Sequence, residues 1–191
     1  MRRFLLIAAA LMLAVSCAAD ADAHHTPGET ETVLTAVMYH DVLASRTGTY
    51  IVSPEQLESD IAAFAEAGYS FVSPAQVIAY AEGRGRLPAR PMLLTFDDGH
   101  HNNAYYGLPI LRKYGAKATF FILNYAEEDK PLIQRMIDEG HTVAIHGYSH
   151  DYATIYASDD AFMENIYKLR DRLRADFGYE ATFIRFPGGA S

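Results

Sequence analysis

An α/β fold on a parallel sheet, with barrel-like closure, is the architecture this sequence predicts. Three observations support it. Short apolar runs alternate with amphipathic segments from Val33 onward. Cap and turn residues punctuate these segments at helix and strand lengths. Residues able to do chemistry follow strand ends in four separated places: His40, Asp97-Asp98, His146 and Arg185. Strands alternating with helices argue a parallel sheet. Active sites of α/β barrels are assembled at the carboxyl ends of such strands.

The elements follow in order. Residues 33–39 read as a strand. Ser53 caps a helix with Pro54 at its first position, which runs through Leu57, Ile61 and Phe64 to Gly68. Residues 69–72 form a short strand, and Ser73-Pro74 opens the next helix by the same device. A turn over 83–88 leads to the strand ending at Phe96. Residues 105–114 have helical period, with Pro109 expected to kink the helix or restart it. A strand over 118–123, a helix over 131–139 and a strand over 142–145 follow. The longest helix, 159–177, stops at Gly178, and 183–186 reads as a final strand.

The chain has 191 residues, enough for one domain with a sizeable core. Arg2-Arg3 and the apolar stretch from Phe4 to Val15 read as a signal peptide over 1–16. Ala14-Val15-Ser16-Cys17 has the form of a lipobox, and Cys17 is the lone cysteine, so an internal disulfide is excluded. Acylation of Cys17 is expected to anchor the chain to a membrane; ordinary secretory cleavage near Ala21-Asp22-Ala23 is the alternative. Residues 17–32 read as a flexible tether, whose His24-His25 pair is expected to be idle, and 33–191 as the functional domain. Loss of Arg2 and Arg3 leaves 14 basic residues against 24 acidic, moving the net charge from −8 to −10. So acidic an exported protein is not expected to bind nucleic acid.

Thr95-Phe96-Asp97-Asp98-Gly99 is the stretch richest in chemistry. Adjacent carboxylates at a strand end are tolerable when a cation sits beside one of them. His146-Gly147-Tyr148-Ser149-His150 supplies partners, since histidines four apart share a face if they lie on one helical turn. Two imidazoles and a carboxylate suit zinc and leave a position for water; cobalt or nickel also fits these ligands. One aspartate would ligate the ion while the other takes a proton from the attacking water. Arg185 is expected to hold that second carboxylate by a bidentate pair. A glycosidase is disfavoured, because its two carboxyl groups must flank the sugar. His100 and His101 read as a solvated loop pair, and His141 as structural.

In these motifs, from Val33 to the C-terminus, the chain resembles the polysaccharide deacetylases of carbohydrate esterase family 4. The resemblance implies a deacetylase-type (β/α)7 distorted barrel. It makes Asp97 the base, Asp98, His146 and His150 the metal ligands, and Arg185 of Arg185-Phe186-Pro187-Gly188 the residue orienting Asp97. The Gly188 N–H would share the oxyanion. Val37-Met38-Tyr39-His40-Asp41 resembles the poly-N-acetylglucosamine deacetylase-like subgroup, which makes His40 the general acid. Gly147 stands where the family usually has Ser or Thr, putting one loop-stabilising hydrogen bond in question. The sequence ends within the third motif's loop, so a fragment, a barrel incomplete at its C-terminus, is expected. The implied activity is metal-dependent removal of N-acetyl groups from an amino-sugar polymer (poly-N-acetylglucosamine, chitin-like or peptidoglycan) at the periplasmic or extracellular face. The alternatives are an O-acetyl xylan esterase, a cyclic amidase, or an impaired lipid-anchored fragment that only binds polysaccharide.

Overall fold

In chain order the elements are β1 (Thr35–Tyr39), β2 (Asp41–Val42), β3 (Ile51–Val52), α1 (Pro54–Glu66), β4 (Ser70–Phe71), α2 (Pro74–Ala81) and β5 (Pro91–Phe96). Then come α3 (His101–Lys113), β6 (Thr119–Ile122), α4 (Lys130–Asp138), β7 (Thr142–Ile145), α5 (Tyr152–Ile155) and α6 (Asp159–Phe177). The computed structural model describes residues 32–45 and 48–189. The signal segment, Cys17 and the tether up to Glu31 lie outside the described residues, as do Ala190 and Ser191. Among the described residues no helix is long and apolar enough to cross a membrane.

The sheet is parallel, ordered β1-β5-β6-β7, with β4 also paired to β5. Nearly every residue of β5 is buried, as expected of a strand covered on both faces. Its Asp97 end donates to the Tyr39 carbonyl on one edge. On the other edge the Arg90 and Met92 carbonyls accept from Ser70 and Val72 of the β4 segment. Phe96 stacks between Tyr39 and Phe120, at ring separations of 5.5 and 5.0 Å. Each fully buried side chain of this kind contributes roughly 1.5–3 kcal/mol.

The helices follow from their caps and apolar stripes. Ser53 and Ser73 accept the Gln56 and Gln76 N–H groups, and Gln76 completes the capping box at Ser73. Ser158 caps α6, which buries Ile166, Leu169 and Leu173 and ends at left-handed Gly178. Two expectations need correction. α3 starts at His101 and passes through Pro109 without restarting. Tyr105 and Pro109 are both exposed, so the Tyr105 carbonyl left unpaired by proline opens to water. The final strand is a single bridge, Ile184 to Ile145. The two-residue strands β2 and β3, and the one-turn α5, are too short to leave a periodic signal in sequence.

His141 proves structural. It is 5% exposed, lies edge-on to Phe120, and its Nδ1 accepts the Ala118 N–H at 3.1 Å. Burial, reinforced by the nearby Lys117 charge, pushes its pKa down to about 4. The folded pKa lies below the unfolded one, so this stabilisation is complete above about pH 6.5 and lost as pH falls towards 4. Urea unfolding at pH 7 and 4.5 should show His141→Gln losing about 2 kcal/mol less than the unaltered chain over that interval. Equal losses would exclude His141 as the titrating group.

Candidate active site

The turn after β5 sets the site. Asp97 keeps the last ladder bond to β1, lies on the same face as Thr95 and is 3% exposed. Asp98 has φ 67°, the one non-glycine positive φ among the described residues, and Gly99 follows with φ 68°. Aspartate tolerates this conformation better than most residues. A strand would send these neighbours to opposite faces; the left-handed step instead lets both line one cleft. A Cβ at Gly99 would meet Ile122 Cα and Cβ at 3.0 Å, so β6 approaches as closely as only glycine permits.

Asp98 Oδ1 lies 3.4 Å from His146 Nε2 and 3.5 Å from His150 Nε2. All three ligand atoms fall within 4.8 Å of one another. The histidines do not share a helical turn as expected; residues 146–151 are irregular and α5 begins at Tyr152. The sheet holds His146, whose N–H donates to the Ile122 carbonyl. Its Nδ1 lies 2.9 Å from the Arg185 carbonyl, which accepts the Nδ1 proton and turns a lone pair on Nε2 towards Asp98. A lone pair facing a carboxylate oxygen at this distance calls for a cation between them. Ligand separations of about 3.4 Å are those of a tetrahedral ion with bonds near 2.1 Å. These residues therefore fit a divalent metal.

Arg185 Nη1 donates to Asp97 Oδ1 at 2.6 Å and to Thr95 Oγ1 at 3.0 Å, while the guanidinium lies over the Phe121 ring. The expected bidentate pair is thus replaced by one nitrogen bridging two acceptors. Asp97 Oδ2 has no hydrogen-bond partner among the described residues. The Arg185 backbone is pinned as well, its N–H donating to the Ile145 carbonyl.

His40 and Gly188 line the same cleft, of about 660 Å³, with the aspartates, His146, His150 and Arg185. The His40 ring packs on Tyr50 at 5.0 Å. Tyr156 donates to the Pro187 carbonyl at 2.7 Å and so ties down the Gly188 turn. His100 also enters the cleft, 4.0 Å from Asp98 Oδ2, whereas His101 begins α3 away from it. Sequence reasoning missed Asn103. It is fully buried, donates to the His40 carbonyl at 2.7 Å and accepts the Val42 N–H at 3.2 Å, stapling the β1 end to α3. A polar residue at a buried position of an apolar helix was the available signal.

Residues 84–191, more than half of the chain, match the family profile described as polysaccharide deacetylase. The peptidoglycan-N-acetylglucosamine deacetylase of Bacillus cereus is 31% identical over 153 residues, covering 79% of this chain and 54% of that protein. The Listeria monocytogenes peptidoglycan-N-acetylglucosamine deacetylase PgdA is 34% identical over 99 residues, 51% of this chain and 21% of that protein. The chain thus spans only part of the curated relatives it matches. Among solved structures, the Streptococcus pyogenes deacetylase PplD in complex with acetate superposes with a TM-score of 0.73 at 23% identity, covering 83% of this chain and 75% of that one. IcaB from Ammonifex degensii superposes with a TM-score of 0.69 at 23% identity over the same shares. Both likenesses concern the barrel-type α/β fold. With a profile match of this extent across the metal cluster and the Asp97–Arg185 pair, the chain belongs to the polysaccharide deacetylase family.

Proposed function

We propose that the chain is a metal-dependent hydrolase that removes N-acetyl groups from an amino-sugar polymer. One observation carries this reading: Asp98, His146 and His150 converge beside a buried Asp97 that Arg185 orients, all in one open cleft. The names of the Bacillus and Listeria relatives support N-acetylglucosamine in peptidoglycan as the substrate class. Zinc is the ion that two imidazoles and a carboxylate favour, with cobalt and nickel as substitutes.

Held by Asp98, His146 and His150, the ion would act as a Lewis acid towards the amide carbonyl and lower the pKa of water to about 7. Asp97 takes the proton from the attacking water, through the oxygen that Arg185 leaves unbonded. The Gly188 N–H donates to the oxyanion that forms as water adds to the carbonyl carbon. His40, across the cleft, gives a proton to the nitrogen as the C–N bond breaks, releasing acetate and a free amine. The same reading makes 1–16 an export signal, Cys17 an acylated membrane anchor, 17–32 a tether and 33–191 the deacetylase domain at the outer face of the cell membrane.

Purified chain should contain one equivalent of divalent metal and release acetate from N-acetylglucosamine oligomers, with loss of activity on chelation. Acetate from O-acetylated xylan alone would instead identify an esterase. Asp97→Asn should lower kcat by roughly 10²–10⁴-fold at unchanged metal content, while His146→Ala should lose the metal itself. Normal turnover by Asp97→Asn would sink the base assignment. Cys17→Ser should move the protein from the membrane to the soluble fraction of a cell lysate; an unchanged distribution would exclude the anchor.

A further inference from the structure

The loop between the two histidines, Gly147–Ser149, belongs to no strand or helix, yet it sets where His150 stands. His146 is fixed by the sheet and by the Arg185 carbonyl. His150 has no comparable support: among the described residues no hydrogen bond to its ring is found, the ring is 31% exposed, and it lies near Asp98, His146 and Tyr152. The non-local bonds to this loop's backbone come from one residue on α6. Asn165 accepts the Ser149 N–H through Oδ1 at 2.8 Å and donates from Nδ2 to the Ser149 carbonyl at 3.3 Å. Its own carbonyl accepts the Tyr148 N–H at 3.2 Å.

Asn165 is 8% exposed and falls within the buried stripe of α6, where an apolar residue would otherwise pack. A buried amide costs stability unless its donors and acceptors are matched. Here both ends of the amide are matched to a single residue, as in a one-residue piece of sheet. The approach is close: a Cβ at Gly147 would lie 2.5 Å from Asn165 Nδ2, and Gly147 has φ 139°, a conformation that side chains rarely adopt. Gly147 and Asn165 are therefore a matched pair. The loop bond left open by the glycine is supplied from α6.

We propose that Asn165 is a positioning residue of the metal centre, acting through the Ser149 backbone to hold His150 within reach of Asp98 and His146. The proposal rests on the metal-site reading. Aspartate at 165 is isosteric but keeps only the acceptor, and it faces the Ser149 carbonyl with a second oxygen. It cannot replace the amide.

The test is the Zn2+ dissociation constant of the full chain, measured by competition with a chromophoric chelator. Asn165→Asp and Asn165→Ala should each weaken binding by roughly 10–100-fold, while the circular dichroism of the metal-free protein stays native. In a His150→Ala background, Asn165→Ala should add nothing, because the residue it acts through is gone. Unchanged affinity in the single variants overturns the proposal, as does full additivity in the double variant. Failure of the unaltered chain to bind Zn2+ overturns the metal reading and this proposal with it.

Discussion

A carboxylate with 3% exposure needs a cation, and Asp97 obtains it from a residue 88 positions away. The rest of the site depends on that pair. Arg185 lies on a segment joined to the sheet by a single bridge, Ile184 to Ile145. Its own bonds run in three directions: the side chain to Asp97 and Thr95, the N–H to Ile145, and the carbonyl to His146 Nδ1. One residue thus orients the proposed base and fixes the tautomer of a proposed metal ligand. Removing a partner from a buried pair costs roughly 3–5 kcal/mol.

The two carboxylates acquire different roles from their backbone. Asp97 continues the β5 ladder and is buried beside the guanidinium. Asp98 sits in a left-handed turn that brings it towards the histidines and leaves it a quarter exposed. Adjacent in sequence, they differ in burial, partner and geometry. A single strained step supplies this difference, and the strain is offset because β6 and the Gly99 turn interlock.

Support for the cleft comes from behind it, from helices. Asn103 on α3 holds the β1 end that carries His40, and Asn165 on α6 holds the loop that carries His150. Both are amides in otherwise apolar stripes, where burying a polar group is tolerable only with every bond made. The sequence signal for each was that misplaced polarity, which periodicity treats as noise in an apolar pattern.

What the sequence by itself determined was the parallel α/β class, nearly every helix and long strand, and seven candidate residues that line one cleft. Those depend on local rules: serine caps, glycine stops, apolar runs and motif spacing. Tertiary structure alone decided how the residues meet. It replaced the helical turn between His146 and His150 with an anchored loop, and the bidentate pair of Arg185 with a bridge to Asp97 and Thr95. It also enlisted Asn103 and Asn165. These are contacts between segments 16 to 90 residues apart, and their geometry depends on the packing of β5, β7 and α6. No local periodicity encodes such distances, because they exist only once the sheet has brought the strand ends together.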